Sequence, residues 1–158
     1  MPLPQDINPF KQDIQDTIFR GKEPWIENDP SGMSAMKVVW IGRETGTWVA
    51  LFKWKKGFIA GAHKHLSASH TFIISGKLKV RDGILDEGDY VYEPNGVLHG
   101  ATEALEDTVY LFICHGPLLF FNEDKFTGYL GWEELLMMRQ KHEAALAEKG
   151  KAPAHAAE

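Results

Sequence analysis

The chain holds a single cysteine, Cys114, so no disulfide can close within it. That fits a reducing compartment. No apolar run approaches the ~20 residues that a membrane-crossing helix needs. The opening residues, MPLPQDINPFKQD, lack the basic stretch and apolar core of a secretory leader. Positive charge is also in deficit, with 17 Lys and Arg against 22 Asp and Glu and a net charge of -5. Nucleic acids and anionic membranes need a basic face, so neither is an expected partner. No internal repeat is present. The expectation is a cytoplasmic protein of one domain, because 158 residues fill one core and leave little for a second.

What is present is ordinary globular composition, 44% apolar and 25% charged. Pro2, Pro4, Pro9, Pro24 and Pro30 break the first stretch. Residues 1–34 therefore read as an N-terminal arm, with at most a short helix around 11–19. From about residue 35 the texture changes to short runs with strand character. In TWVALFKWK (47–55), Trp48, Ala50, Phe52 and Trp54 alternate onto one face. Further strands are expected at 35–41, 70–74, 77–81, 90–93, 108–114 and 118–121. Gly57, Gly61, Gly76, Gly88, Pro94, Gly96 and Gly116-Pro117 mark the breaks. Many short strands at this spacing indicate an all-β sandwich or barrel over 35–131 rather than a βαβ fold. A helix is expected over 132–149, with Glu133 and Glu134 favourably placed near its start. The Ala-rich residues 150–158 read as a disordered tail.

Four of the seven histidines lie between positions 63 and 99. His63 and His65 are two apart, so on a strand both imidazoles leave the same face and can reach one ion. A third ligand must come from elsewhere, and His99, closing GDYVYEPNGVLH, is the natural candidate.

These spacings resemble the cupin superfamily. Its first motif runs Gly, five residues, His-x-His, three or four residues, Glu, six residues, Gly. Gly57, His63, His65 and Gly76 follow it, although His70 stands near the glutamate slot with only five residues before Gly76. The second motif, Gly, five residues, Pro-x-Gly-x-x-His, fits through Gly88, Pro94, Gly96 and His99. Over roughly 44–140, segments such as ETGTWVALF, GKLKVRDG and GYLGWEE also look like the acetylacetone-cleaving and 2,4'-dihydroxyacetophenone dioxygenases.

The resemblance implies a cupin β-barrel, a jelly roll of facing antiparallel sheets. It also implies an Fe(II) centre on His63, His65 and His99, and cleavage by O₂ of a C–C bond beside a carbonyl. The substrate would be a small ketone, and the assembly a homodimer or higher homo-oligomer. By position, Arg81 and Glu93 match polar residues near the metal of that group and are the candidate catalytic residues. His70 matches the histidine of the dihydroxyacetophenone branch.

Ligand chemistry alone is less selective, since imidazoles suit Fe, Zn, Ni or Cu. His70 reads as a fourth ligand, as a hydrogen-bond partner of a ligand or as part of the barrel wall. Glu93 reads as a proton acceptor or as a solvated carboxylate. Arg81 reads as an anchor for an anionic substrate or as a salt-bridge partner of Asp82 or Glu93. Cys114 sits in the apolar run YLFIC and reads as a small buried residue rather than a nucleophile. Two rival functions remain at this point: a zinc-binding regulatory module without redox chemistry, and a metal-dependent cupin isomerase or hydrolase.

Overall fold

The structure is a computed structural model that describes residues 21–151. The expected short helix around 11–19, most of the arm and residues 152–158 of the tail lie outside the described residues. Fourteen strands and one helix follow in chain order. The strands are β1 (Ile26–Glu27), β2 (Ser34–Gly42), β3 (Thr47–Trp54), β4 (Ile59–Ala60), β5 (His63–His65), β6 (Ser69–Ser75) and β7 (Leu78–Val80). They continue with β8 (Gly83–Leu85), β9 (Tyr90–Glu93), β10 (Leu98–His99), β11 (Thr102–Ala104), β12 (Thr108–Cys114), β13 (Leu118–Asn122) and β14 (Lys125–Leu130). Helix α1 (Trp132–Lys151) closes the chain two residues later than expected.

Every strand pair is antiparallel. A six-stranded sheet runs β1-β2-β3-β12-β6-β9, and two four-stranded sheets run β10-β5-β13-β14 and β4-β11-β7-β8. This is the expected all-β jelly roll with a C-terminal helix. In β3, Trp48, Ala50, Phe52 and Trp54 are all buried on the inner face, while Thr47, Val49, Leu51 and Lys53 take the outer one. Register fixes their partners, with Cys114 opposite Trp48, Phe112 opposite Ala50 and Tyr110 opposite Phe52. Phe52 and Tyr110 stack at 5.2 Å, and Trp48 lies 5.2 Å from Phe112, so the inner face carries a ladder of rings. Leu78, Ala104 and Leu118 from the smaller sheets join the same core. Each fully buried side chain of this size contributes roughly 1.5–3 kcal/mol.

Strand parity sets Phe72 apart from Phe52 and Phe112. It lies on the outer face of β6 and is 44% exposed, because its neighbours Thr71 and Ile73 take the inner positions.

Two devices hold the frame. Gly76 turns the chain between β6 and β7 at φ 83°, and a Cβ there would sit 2.3 Å from the Asp107 carbonyl oxygen. At the start of α1, the Gly131 N–H donates to Glu134 Oε2 at 2.9 Å, which caps the first turn. Leu135 is then fully buried, and Met138 packs on the core while Met137 faces out. Among the described residues, no helix is long and apolar enough to cross a membrane.

Candidate metal centre

Strand β5 is three residues long and lies between β10 and β13. Its parity buries His63 and His65 on one face and leaves Lys64 exposed on the other. The turn before β10 clamps onto it. The Gly96 N–H donates to the His65 carbonyl at 2.9 Å, and the His65 N–H donates to the Val97 carbonyl at 2.9 Å. Gly96 adopts φ 91°, the left-handed region where a side chain would be strained. The chain emerging from this turn places His99 directly opposite His63.

The three rings lie 4.9 to 5.3 Å apart by centroid. One nitrogen of each lies within 4.8 Å of the others. All three residues are buried. His63 Nδ1 faces the Gly61 carbonyl oxygen at 2.9 Å. A carbonyl only accepts, so Nδ1 carries the proton and Nε2 keeps its lone pair. His65 Nε2 and both ring nitrogens of His99 are buried and have no hydrogen-bond partner among the described residues. Orphaned buried imidazole nitrogens at this density are costly unless something binds them. The donor set fits a divalent first-row metal.

Glu93 closes one side of the cluster. Its Oε1 lies 2.8 Å from His99 Nε2 without hydrogen-bond alignment, and its Oε2 accepts from the Ser69 hydroxyl at 2.8 Å. The same hydroxyl lies 2.9 Å from His65 Nδ1. Burial lowers the His63 pKa, and burial holds His65 down at about 4. Both rings are therefore neutral at pH 7, as metal ligands must be. Burial alone would raise Glu93, but the adjacent His99 ring and the Ser69 hydroxyl outweigh it and hold the carboxyl low. Glu93 is a carboxylate at neutral pH.

The structure brings together His63, His65, His99 and Glu93, and leaves the other two candidates, His70 and Arg81, outside the cluster. His70 is no part of the cluster. It sits on the outer face of β6, where Nδ1 bonds the Tyr90 hydroxyl and the ring neighbours Tyr92 and His115. The reason is parity: Ser69 and Thr71 take the inward positions on either side of it. Arg81 follows β7 on the surface, pairs with Asp82 at 2.8 Å and touches the Leu98 carbonyl oxygen at 3.4 Å. This is the salt-bridge alternative with Asp82, and the guanidinium is not among the groups that line the cavity at the histidines.

Ser69 is the site residue that the sequence reading missed, and a signal for it exists. Three residues separate it from His65 and six from Gly76, the spacing of the motif glutamate. Cys114 fulfils its expectation: it is buried, donates to the Gly116 carbonyl oxygen, and burial pushes its thiol up to about 11.

A cavity of about 330 Å³ opens from the histidines into the interior. Phe52, Trp54, Phe58, Tyr110, Phe112 and Phe120 are among its lining residues, and Glu93 is the one acidic side chain on its wall among the described residues. His63 lies 5.4 Å from the Phe120 ring and His65 lies 6.1 Å from Phe112. The centre thus stands where polar donors meet an aromatic chamber.

Residues 15–119 match the ChrR cupin-like domain family. The acetylacetone-cleaving enzyme of Acinetobacter johnsonii is 28% identical over 131 residues, covering 77% of this chain and 86% of that protein. The crystal structure of an acetylacetone dioxygenase from Acinetobacter johnsonii superposes with a TM-score of 0.73 at 22% identity, covering 86% of this chain and 98% of that one. An RmlC-like cupin from Ralstonia eutropha JMP134 superposes with a TM-score of 0.78 at 20% identity, covering 84% and 89%. The last two likenesses establish the fold.

Proposed function

The chain belongs to the ChrR cupin-like domain family, and from that premise we propose that it is a non-haem Fe(II)-dependent dioxygenase. Its reaction would cleave the C–C bond next to a carbonyl in a β-diketone or hydroxyketone. One observation carries the reading: three buried imidazoles converge at the head of a largely apolar cavity whose wall holds one carboxylate. The relationship to the acetylacetone-cleaving enzyme supports the same chemistry.

The residues fit such a reaction in three ways. His63, His65 and His99 would hold the iron, which when bound supplies the chemistry toward O₂. Neutral ligands leave its charge uncompensated, which favours a substrate that binds as an enolate or alkoxide. The Glu93 carboxylate is placed to take the proton released as such an anion forms, at Oε1 beside His99. The rings of Phe52, Tyr110, Phe112 and Phe120 shield the reacting carbons from water. A volume of about 330 Å³ leaves room for an aryl or alkyl group behind the chelating head.

A zinc-binding regulatory module would draw its fourth ligand from Glu93 rather than from the outward-facing His70, and the relationship to the acetylacetone-cleaving enzyme favours the redox reading over it. An isomerase or hydrolase would use the same residues without O₂. The test is anaerobic reconstitution with Fe(II), followed by O₂ uptake with acetylacetone and with an aryl hydroxyketone. The expected result is uptake matched to ketone consumed, abolished in His99→Ala. A ketone panel that gives no uptake, together with an unaltered His99→Ala protein, overturns the proposal.

A further inference from the structure

A histidine that binds a metal does so as a neutral imidazole, so His65 has two ring nitrogens and one proton to place between them. Which nitrogen keeps it decides whether the residue can bind a metal from inside the cluster. We propose that Ser69 is a positioning residue which, anchored on Glu93, holds the His65 proton on Nδ1 and frees the Nε2 lone pair for the metal.

Ser69 Oγ has one hydrogen and two lone pairs. An ionised carboxylate only accepts, so the 2.8 Å contact to Glu93 Oε2 uses the serine hydrogen. Only lone pairs remain on Oγ for His65 Nδ1 at 2.9 Å. Nδ1 must therefore donate. Nε2 is then bare, and it is the nitrogen buried without a hydrogen-bond partner among the described residues. Ser69 is itself fully buried, so water does not substitute for it. Its place is set by register, opposite Glu93 on β9 and opposite Cys114 on β12.

The sequence supplies a second, independent observation. Ser69 stands where the cupin motif puts its glutamate. Here the short side chain cannot bring a carboxylate to the ion, and Glu93 reaches the same region from the neighbouring strand. The two residues divide the work: one carries the charge and the other relays it to the ligand. His63 needs no such help, because the Gly61 backbone carbonyl fixes its tautomer. Among the described residues, Ser69 is the one side-chain hydroxyl bonded to a histidine of the cluster.

This inference rests on the metal-binding part of the proposed function, and its test is independent of turnover. Full-length, metal-free protein labelled with ¹⁵N-histidine is studied near neutral pH by long-range ¹H–¹⁵N spectra, with His65 assigned by the His65→Gln variant. Wild type is expected to show the Nδ1–H tautomer at His65, and Ser69→Ala to move it toward Nε2–H. Zinc titration against a competing chelator is expected to show a ~10–100-fold weaker affinity in Ser69→Ala, with Ser69→Thr nearer wild type. A wild-type His65 in the Nε2–H form overturns the proposal, and that spectrum decides even if Ser69→Ala fails to fold. A tautomer shift without any loss of zinc affinity also overturns it. Wild-type protein that binds no zinc counts against the metal reading, while the tautomer still reports on Ser69.

Discussion

His99 sits directly across the β5–β10 ladder from His63, with ring centroids 4.9 Å apart. The chain separates them by 35 intervening positions, yet the pairing makes them neighbours on one buried face. Cross-strand neighbours on one face approach within about 5 Å, which suits two ligands of one ion. The geometry of the whole centre follows from this pair, because His65 joins it by parity alone.

Removing one member should therefore remove the metal. In His99→Ala, metal retained after dialysis should fall to background, a loss beyond the ~10–100-fold that a supporting residue costs. The fold should persist, since β10 is held by backbone pairing to β5. Metal analysis with a circular dichroism spectrum checks both halves. Stoichiometric metal in a folded His99→Ala protein would contradict the assignment.

His70→Ala should behave in the opposite way. Its ring lies outside the cluster and bonds Tyr90 at the surface. Metal affinity should stay within twofold of wild type, and stability should change by about 0.5 kcal/mol or less. A tenfold loss of affinity would place His70 in the site after all.

Acid should destabilise the metal-free protein in a defined window. The unfolded chain protonates His63 and His65 near their ordinary value of 6.5, whereas burial keeps both lower in the folded state, His65 at about 4. Between those values the unfolded state binds more protons, so stability falls as pH drops from 6.5 toward 4. Above 6.5 both states hold neutral rings and these residues leave the profile flat. Glu93, held below its ordinary 4.5, extends the loss at still lower pH. Denaturation midpoints measured from about pH 7.5 to about pH 4.5 should decline in that order. A flat profile would refute the buried, neutral state of these rings.

Gly76→Ala should damage the frame without touching the chemistry. The new methyl would meet the Asp107 carbonyl oxygen at 2.3 Å in a backbone conformation unfavourable to alanine. A cost on the order of 1–3 kcal/mol is expected, read as a lower denaturation midpoint. Metal stoichiometry of the folded fraction should be unchanged.

Much of this was legible from residues alone where the signal is local. The alternating aromatic face of TWVALFKW foretold β3, and the apolar run within TVYLFIC foretold β12. The two short strands that carry the histidines, β5 and β10, were not foretold by pattern. β10 is two residues long, too short for any periodicity, and exists because β5 lies beside it. Of the three alternatives for His70, the fourth-ligand one finds no support in the fold for a related reason. It took a residue one position from the motif slot, and a shift of one along a strand turns a side chain to the other face. Ser69 held the slot, but a serine there carries no metal-ligand signature to notice.

The order of residues by itself determined an all-β fold, the turn glycines and the three histidines that share an ion-sized space. These depend on spacing, and spacing is a property of the chain. Only the folded molecule decided that Glu93 meets His99, that Ser69 joins Glu93 to His65, and that His70 and Arg81 stay at the surface. Those relations depend on register between strands, which long-range packing of the core sets and no short window of sequence contains.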